Sequence, residues 1–464
     1  MALPTTFGIV GAGPAGLLAA RAFIRLGLEV ELLERHSGPG GLWDMNNPGT
    51  PMYSTCNFIS NRDYGGFIGY PMPAEYPLFP RWDQIRDYIR GFSDAFGITP
   101  LVVTGADVVR ATPVDSPEGR FWRVSLSDGS QRDYRGIVAA TGGQWQPWLP
   151  EYPGMEDFAG DVIHSAQYTA PETFHGERVL VIGAGNSGVD IASDAAAHAE
   201  RAFISTRRGY WFLPKLHDGV PSAALLSGDL TPAPDSPLHG KSLQEIQDVV
   251  LGSVGDLRNY GLPQPDHQFG ATHPILNDQM LHYMSHGLLA WKPDVVAFDA
   301  DGVRFADGTR EDVDIIVMAT GYSAPIPWLP EGILTYDGGF PRSILGALVE
   351  GQEGLYLAGA LHFSGNTFPV FDQLVQLAAH DARALVTGQN ADNLRYIRES
   401  YRPDLNGDAS YVATRRNSNQ VQVSALHKVF AELHSRFGIS VPGLVDHDFY
   451  RGQLTTNTAQ AVAA

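Results

Sequence analysis

Apolar and polar residues follow a strand–helix–strand pattern over the first 35 positions. Residues 7–10 form a short apolar run, and residues 17–27 place apolar side chains at helical spacing up to Gly27. Residues 29–35, with the sequence EVELLER, form a second predicted strand that ends in Glu34. Short apolar runs are typical of buried strands, and apolar positions three and four apart are typical of one helix face. The pattern predicts a β–α–β unit.

The same order of elements returns at residues 177–208. Residues 179–182 form an apolar run, residues 189–199 have helical spacing, and residues 202–206 form another apolar run. Because the three segments have the lengths and order of the first unit, we expect a second β–α–β unit here.

Three later segments also carry apolar strand patterns. Residues 137–143 and 314–322 each end an apolar run with a Thr-Gly pair, and residues 354–385 are typical of a strand, a loop and a helix. A Thr-Gly pair at a strand end indicates a sharp turn beside a ligand or at a domain crossing. The last helix can direct its positive N-terminal end at a ligand that gains negative charge.

The turn of the first unit contains Gly11, Gly13 and Gly16. The first glycine permits the tight turn, the second lets the backbone approach a pyrophosphate, and the third lets the helix pack closely on the strand. The free N–H groups of the helix then face the phosphates. Glu34 is placed to accept hydrogen bonds from a ribose hydroxyl, so the unit predicts a dinucleotide site.

The second unit has the same turn at Gly183, Gly185 and Gly188, but a different strand end. Its second strand is followed by Arg207 and Arg208, and no carboxylate occupies that position. Two guanidinium groups suit a 2′-phosphate. This site therefore predicts NADPH rather than NADH.

Strands that alternate with helices around two such turns predict an α/β fold with two doubly wound Rossmann-like dinucleotide-binding domains. Two such units predict two dinucleotides, and in the usual arrangement the first carries the flavin, as FAD, and the second the nicotinamide. We expect the NADPH domain to be inserted in the FAD domain. Residues 158–168 show no obvious helix or strand and form the crossing between the domains, while residues 215–270 are rich in Pro, Gly and His and are expected to gate substrate. The predicted boundaries are 1–165 and 320–464 for the FAD domain and 166–319 for the NADPH domain.

Composition limits the partners. The 464 residues carry a formal net charge of -19, which argues against nucleic acid and anionic membranes. No run of apolar residues is long enough to predict a membrane-spanning helix, and the histidines show no metal-binding spacing, so no metal is expected. The single cysteine, Cys56, excludes a redox-active CxxC pair and fits a reducing cytoplasm. Asp190 and Asp194 on the second predicted helix are expected to be surface charges or charges of its N-terminal turn.

The crossing segment contains Phe158, Gly160, His164 and Tyr168 at the spacing F-x-G-x-x-x-H-x-x-x-Y. This spacing resembles the identifying pattern of the class B flavin monooxygenases. Tyr168 followed by Thr169 is similar to the flavin-containing monooxygenases, which oxygenate nitrogen and sulfur, whereas Baeyer–Villiger enzymes have Trp followed by Pro or Asp. We expect His164 to be a structural hydrogen-bonding residue rather than a catalytic base.

Further stretches are similar to the same family: GGLW at 40–43, STRRGYWFLP at 205–214 and MATGY at 318–322. The resemblance covers nearly the whole chain. It implies that FAD and NADPH are the cofactors and that the enzyme depends on NADPH and O2. It further implies that a C4a-hydroperoxyflavin oxygenates a soft nucleophile, the nitrogen of an amine or the sulfur of a sulfide, in a small molecule.

Three alternatives stay open. The first is a Baeyer–Villiger monooxygenase that acts on ketones, against which Tyr168 argues. The second is an NADPH-flavin reductase with another electron acceptor, and the third is a nucleotide-binding protein without catalytic activity. For the enzyme we expect a homodimer, the commonest assembly of soluble enzymes, in the cytoplasm.

The resemblance also implies the site residues. The family places an Asn near the flavin after the GGLW stretch, where an ungapped count reaches Ile59. Asn57 and Asn61 lie two residues to either side and would share its face in an extended segment, and we take Asn61 as the catalytic amide. The residues expected to bind the cofactors are Gly11, Gly13, Pro14, Ala15, Gly16, Glu34, Gly41, Leu42, Trp43, Ile59, Ser60, Val108, Thr141, Gly142, Gly183, Gly185, Asn186, Ser187, Gly188, Arg207, Arg208, Thr320 and Gly321.

Overall fold

Two parallel five-stranded sheets organise the chain, and each belongs to its own unit. The computed structural model describes residues 2–227, 230–444, 446 and 448–454. The sequence of the second unit is inserted in that of the first, and both have strands covered by helices, which confirms the predicted α/β class. The first unit comprises the described residues of Met1–Thr50, Gly65–Gln146 and Ser323–Ala464, and the second comprises Pro51–Tyr64 and Pro147–Tyr322.

Both units contain helices and strands. In chain order the helices are α1 (Pro14–Arg25), α2 (Trp82–Ala95), α3 (Asn186–His198), α4 (Ser222–Ser227), α5 (Leu243–Gly252), α6 (Gln279–Ser285), α7 (Thr367–Thr387), α8 (Ala391–Ser400) and α9 (Val423–Phe437). Within the described ranges, no helix combines the length and the apolar character that crossing a membrane requires.

The strands are short, as expected for parallel sheets. They are β1 (Phe7–Val10), β2 (Val30–Glu34), β3 (Val102–Thr104), β4 (Val108–Ser116), β5 (Gly119–Leu126), β6 (Gln131–Tyr134), β7 (Gly136–Ala139), β8 (Gln146–Pro147), β9 (Asp161–His164), β10 (Arg178–Ile182), β11 (Arg201–Ser205), β12 (Phe212–Leu213), β13 (Leu216–His217), β14 (Val220–Pro221), β15 (Ile275–Leu276), β16 (Ala290–Lys292), β17 (Val295–Asp299), β18 (Gly302–Phe305), β19 (Arg310–Asp312), β20 (Ile315–Met318), β21 (Tyr322–Ser323), β22 (Tyr336–Asp337), β23 (Phe340–Pro341) and β24 (Leu355–Leu357).

The first sheet has the strand order β24-β7-β1-β2-β3, with all neighbours parallel. All four residues of β1 are buried, which explains its continuous apolar run. Pro14 occupies the first turn of α1, where a missing backbone N–H costs no hydrogen bond. The helix ends just before Gly27, which has a φ of +76° and so can adopt the left-handed turn that leads into β2. The predicted first β–α–β unit is confirmed.

The second sheet has the order β16-β11-β10-β20-β9 and is also parallel throughout. It contains the predicted second β–α–β unit as β10, α3 and β11. The helix begins at Asn186 and not at 189, because the glycine turn itself enters the first helical turn.

The crossing segment is not the irregular connector that its sequence indicates. Asp161–His164 form β9, which pairs with β20 at the edge of the second sheet. Only His164 of this strand is buried, so the strand carries no continuous apolar run that could reveal it. The second unit accordingly begins at Pro147, before the predicted boundary at residue 166, and it also includes Pro51–Tyr64.

Residues 213–276 of the second unit form a hydrophobic cluster of their own, which we call the insertion cluster. Ile59, which belongs to the segment Pro51–Tyr64 and not to residues 213–276, packs against this cluster. The helices α4 and α5 thus give this Pro- and Gly-rich stretch a core that its weak periodicity does not predict. The buried members of the cluster are Leu213, Leu225, Leu238, Ile246, Val250 and Leu276.

Candidate active site

The first glycine turn closes tightly. Gly11 has a φ of +106°, a conformation that favours glycine. A Cβ atom on Gly16 would lie 2.0 Å from the carbonyl oxygen of Gly11, so the start of α1 can approach β1 only without a side chain there. Pro14 and Ala15 begin α1. The unbonded N–H groups of this first helical turn are suited to an anion such as a pyrophosphate.

Glu34 lies at the end of β2 and is only 4% exposed. Its Oε2 atom accepts a 2.7 Å hydrogen bond from the backbone N–H of Ala12, and its Oε1 atom accepts one of 2.9 Å from that of His36. The carboxylate is therefore fixed beside the turn. Each oxygen retains a lone pair with which to accept a hydrogen bond from a ligand hydroxyl.

The GGLW stretch brings a second backbone to the turn. A Cβ atom on Gly41 would lie 2.9 Å from the Cα atom of Gly13, so these two glycines approach more closely than side chains would allow. Leu42 and the half-buried Trp43 continue a short 3-10 turn, and the carbonyl of Leu42 accepts a 2.5 Å hydrogen bond from the hydroxyl of Thr50. The backbone at Gly41 therefore lies directly against the backbone at Gly13, with no side chain between them.

Thr141 and Gly142 follow β7, the strand next to β1. The end of β7 abuts the first turn, since a Cβ atom on Gly11 would meet the carbonyl oxygen of Ala140 at 2.6 Å. These two predicted residues are thus brought to the turn. Val108 begins β4 on the same unit, and its side chain lies in the buried core.

The second glycine turn repeats the first. Gly183 has a φ of +108°, and a Cβ atom on Gly188 would lie 2.1 Å from the carbonyl oxygen of Gly183. Gly185 caps α3, which starts with Asn186 and Ser187. The Oδ1 atom of Asn186 is buried and has no hydrogen-bond partner among the described residues. A buried acceptor without a partner is costly, so this atom is suited to a donor on a ligand.

Arg207 and Arg208 follow β11 but differ in their surroundings. Arg207 is exposed, and no acidic side chain in the described part of the chain pairs with it. The Nη1 atom of Arg208 lies 3.8 Å from Oδ1 of Asp266. Arg207 is therefore the more available guanidinium.

Thr320 and Gly321 follow β20 as Thr141 and Gly142 follow β7 in the first unit. A Cβ atom on Gly183 would meet the carbonyl oxygen of Ala319 at 2.5 Å, so the end of β20 abuts the second turn. In each unit, the strand that ends in Thr-Gly therefore lies against that unit's glycine turn.

Asn61 is buried, with 1% of its surface exposed. Its Oδ1 atom accepts hydrogen bonds of 3.0 Å from the backbone N–H groups of Asp63 and Tyr64, which fixes the orientation of the amide. Its Nδ2 atom is buried and has no partner among the described residues. The side chain thus holds an unused donor in a fixed position.

Asn57 differs from Asn61 in this respect. It is half-buried, and its amide nitrogen can donate to the carbonyl oxygens of Thr55 at 3.3 Å and Cys56 at 3.2 Å. The amide of Asn57 is therefore used within its own turn. Ile59 packs on the insertion cluster, and Ser60 is buried beside Asn61.

Both ring nitrogens of His164 are engaged. Its Nδ1 atom accepts from the backbone N–H of Ala166 at 3.1 Å, which leaves the proton on Nε2 to be donated to the carbonyl of Gly321 at 3.0 Å. Burial lowers the pKa of this imidazole. His164 thus has the hydrogen-bonding, structural role that the sequence indicates, and it ties β9 to the Thr-Gly turn after β20.

The family description "Flavin-binding monooxygenase-like" matches residues 5–339 of the chain, and this span contains both glycine turns. The protein belongs to the flavin-binding monooxygenase-like family. Flavin-containing monooxygenase 5 of Rattus norvegicus is 33% identical over 338 residues, which are 70% of this chain and 63% of the relative. The chain thus aligns with less than two thirds of that curated relative's length.

Solved flavin monooxygenases have the same fold as this chain. S-allyl-L-cysteine S-oxygenase from Allium sativum matches with a TM-score of 0.63 and 19% identity, over 99% of this chain and 97% of that one. The ε-caprolactone-bound structure of cyclohexanone monooxygenase matches with a TM-score of 0.66 and 16% identity, over 94% and 98% of the two chains. At such identities the similarity shows the fold alone.

The family member has two functional candidates that the sequence misplaces, Asp190 and Asp194. They are not surface charges, because both carboxylates accept hydrogen bonds from side chains of other segments and are partly buried. Neither lies in the first turn of α3. Burial raises the pKa of both groups. Their spacing of four residues could have indicated a shared helix face, but not what that face contacts.

Cys56 of the family member is a buried thiol. Burial, followed by the charge of Asp190, raises its pKa to about 12. The thiol is therefore protonated and unreactive near neutral pH. The described residues contain no group of three or more His, Cys, Asp or Glu side chains that could hold a metal ion.

Proposed function

We propose that this chain is an FAD-containing, NADPH- and O2-dependent monooxygenase that oxygenates the nitrogen of an amine or the sulfur of a sulfide in a small molecule. The observation that carries the proposal is the pair of glycine turns of matching geometry, one beside Glu34 and the other beside Arg207. A carboxylate suits the ribose hydroxyls of FAD, and a guanidinium suits the 2′-phosphate of NADPH. Within this family, two such sites support a monooxygenase best.

In the first unit, the chain's own groups fit FAD. The Gly11–Gly16 turn and the start of α1 would hold the pyrophosphate through backbone N–H groups. Glu34 would accept hydrogen bonds from the ribose, and the bare backbone at Gly13 and Gly41 leaves room that a Cβ atom would fill. The Thr141–Gly142 turn would border the same ligand.

In the second unit, the corresponding groups fit NADPH. The Gly183–Gly188 turn would hold its pyrophosphate, and the unpartnered Oδ1 atom of Asn186 would accept a hydrogen bond from a hydroxyl or amide N–H of the nucleotide. Arg207 would pair with the 2′-phosphate, with Arg208 in a lesser role because Asp266 already faces it. NADPH would therefore bind more tightly than NADH.

When bound, FAD would supply the redox chemistry, accepting a hydride from NADPH and activating O2, of which one atom would go to the soft nucleophile and the other to water. We propose that Asn61 supplies the buried amide N–H that orients the reacting groups, since its Nδ2 atom lacks a partner while its Oδ1 atom is held. A donor fixed before the reaction starts is stabilising without reorganisation. The burial of Asn61 and Ser60 would also keep water away from this donor.

Baeyer–Villiger oxidation of a ketone is the second candidate, because a cyclohexanone monooxygenase has the same fold. One observation favours nitrogen or sulfur oxygenation over it: the motif of this chain ends in Tyr168 and Thr169.

The function can be tested by product analysis. Purified protein with FAD, NADPH and O2 would be offered a tertiary amine, a thioether and a cyclic ketone in parallel. We expect NADPH oxidation to be accompanied by an N-oxide or an S-oxide. An ester without either oxide would identify a Baeyer–Villiger enzyme, and flavin reduction by NADPH with no oxygenated product would identify a reductase.

We further propose that the enzyme is a cytoplasmic homodimer. The proposal is supported by the prevalence of twofold dimers among enzymes and by the single, buried cysteine, which suits a reducing compartment. Sedimentation at micromolar concentration would measure the assembly, and a monomer would contradict it.

A further inference from the structure

Asp190, near the start of α3, accepts hydrogen bonds from two other segments of the second unit. The hydroxyl of Tyr53 donates to its Oδ2 atom at 3.0 Å, and the Nδ2 atom of Asn277 donates to its Oδ1 atom at 2.8 Å. Tyr53 belongs to Pro51–Tyr64, the segment that carries Asn61. One carboxylate therefore links α3 to this segment and to Asn277, which follows β15.

Both partners of Asp190 are themselves fixed. Tyr53 is 3% exposed and Asn277 is 1% exposed. The Oδ1 atom of Asn277 accepts a 2.7 Å hydrogen bond from the backbone N–H of Met280, at the start of α6. Burial raises the pKa of Asp190, and the charge of Lys215 partly offsets this by favouring the ionised carboxylate. A charged acceptor with two neutral donors forms stronger hydrogen bonds than a neutral one.

The next turn of α3 adds a second connection to the same segment. Asp194 accepts from the hydroxyl of Thr55 at 2.6 Å. Further along, Ile59 packs against the insertion cluster. Tyr53, Thr55 and Ile59 thus restrain the segment on one side of Asn61, just before the position from which its amide N–H is presented.

Helix α3 also carries the second glycine turn at its start. Asp190 lies two residues after Gly188 in the same helix, so α3 joins the carboxylate rigidly to the proposed NADPH turn. No loop intervenes. The hydrogen bond between Asp190 and Tyr53 is therefore the connection nearest to that turn among those that hold the segment carrying Asn61 on α3.

We propose that Asp190 is a positioning residue that fixes Asn61 relative to the glycine turn of α3, and that this relation determines how much of the oxygen consumed appears in product rather than as hydrogen peroxide. The proposal rests on the proposed function. Asp190 does not touch the reacting atoms; it acts through Tyr53. An NADPH-bound turn and an oriented amide N–H are then held in one geometry while the reaction proceeds.

Four variants separate positioning from general stability. Asp190→Ala removes both hydrogen bonds, and Tyr53→Phe removes only the one to the segment. Asp190→Asn is the conservative variant, because its amide oxygen can face Asn277 while the tyrosine hydroxyl rotates to accept from its nitrogen. Tyr401→Phe is the matched control, since Tyr401 donates a 2.7 Å hydrogen bond to Glu432 in the other unit.

Two properties are compared on FAD-loaded protein: hydrogen exchange of peptides that cover Pro51–Tyr64, and hydrogen peroxide formed per NADPH oxidised in the presence of the amine or thioether that wild type oxygenates. FAD content and the rate of flavin reduction by NADPH are measured as controls. For Tyr53→Phe and Asp190→Ala we expect about tenfold faster exchange in this segment, the effect of losing one charge-assisted hydrogen bond. We expect several-fold more peroxide, with FAD content and the rate of flavin reduction by NADPH unchanged. Asp190→Asn should restore most of both properties, and Tyr401→Phe should alter neither.

The proposal is wrong if Tyr53→Phe has the same hydrogen exchange and peroxide yield as wild type. It is also wrong if Tyr401→Phe changes both properties as much as Tyr53→Phe does. If Asp190→Ala does not fold, Tyr53→Phe decides alone, since it keeps the shape of the side chain. Failure of the proposed function is recognised separately. In that case wild-type protein forms no oxygenated product, while the exchange measurement still reports whether Asp190 orders the segment.

Discussion

The hydroxyl of Tyr168 donates a 2.8 Å hydrogen bond to the Oδ2 atom of Asp194. The last residue of the F-x-G-x-x-x-H-x-x-x-Y pattern is thereby attached to α3, the helix that follows the second glycine turn. Tyr168 is 1% exposed, and its ring stacks on Phe174 at 5.0 Å between centroids. The pattern therefore identifies buried contacts within the second unit and not a set of reacting groups.

Tyr168→Phe is expected to lower the free energy of unfolding by about 1.5–3 kcal/mol, because it leaves a partly buried carboxylate with one donor fewer. Denaturant unfolding of wild type, Tyr168→Phe, Asp194→Asn and the double variant would measure the coupling between the two side chains. Strictly additive effects would show that this hydrogen bond contributes no stability.

Asn61→Ala is expected to retain FAD but to form product at a rate lower by roughly tenfold to a hundredfold, the range for removal of a buried donor near a reacting group. The matched variant is Asn57→Ala, because the amide of Asn57 bonds only within its own turn. Product formation and FAD content would be measured for both. Similar losses in the two variants would contradict the assignment of Asn61.

Arg207→Ala is expected to raise the KM for NADPH by roughly tenfold or more, as one charged hydrogen bond to the 2′-phosphate is lost, and to leave the KM for NADH unchanged. Arg208→Ala should have the smaller effect, because Asp266 faces this guanidinium. Steady-state kinetics with both nucleotides would test this. An unchanged preference for NADPH in Arg207→Ala would refute the phosphate contact.

Each glycine turn can be tested separately by a single Gly→Ala substitution. Gly16→Ala and Gly188→Ala place a Cβ atom 2.0 Å and 2.1 Å from the carbonyl oxygens of Gly11 and Gly183. We expect the first variant to lose FAD and the second to keep FAD but to lose reduction by NADPH, while dithionite still reduces it. Gly38→Ala is the control, since a Cβ atom there meets nothing within 4 Å. Loss of FAD from Gly188→Ala alone would reverse the assignment of the two sites.

Acid should destabilise the first unit through His380. Burial, followed by the charges of Arg25 and Arg383, lowers the pKa of this imidazole from 6.5 to about 4. Between these values the unfolded chain binds a proton that the folded chain does not, so stability falls as the pH is lowered from 6.5 towards 4. The expected loss is about 2 kcal/mol at pH 5.

The measurement for His380 compares unfolding midpoints at pH 7.5 and pH 5 in wild type and His380→Gln. The variant lacks the titrating group, so its midpoint should change less on acidification. Equal changes in the two proteins would show that this histidine is not the source. Its Nε2 atom accepts a 3.2 Å hydrogen bond from the backbone N–H of Ser440, which the neutral ring alone can do.

The sequence predicts those parts of the fold that depend on local pattern. The two β–α–β units are recognised because burial on one helix face and on whole strands produces periodicity within about 30 residues. The strand β9 is not recognised, because it is short and lies at a sheet edge with one fully buried residue. Its strand character comes from pairing with β20, far along the chain.

The candidate site shows the same division. The glycines, Glu34 and Arg207 can be predicted because their spacing from the strands is fixed by the motif. The roles of Asp190 and of the segment around Asn61 cannot, because Tyr53 and Asp190 are 137 positions apart. The choice between Asn57 and Asn61 likewise requires the hydrogen bonds of each amide, since both occupy equivalent positions in the pattern.

Cys56 has a further consequence for the proposed oxygen-dependent function. Peroxide oxidises thiolates and not thiols. Because burial raises its pKa to about 12, the thiol stays protonated at pH 7. Peroxide released during unproductive turnover would therefore leave the only cysteine of the chain intact, and the enzyme would not lose activity through oxidation of its own sulfhydryl group.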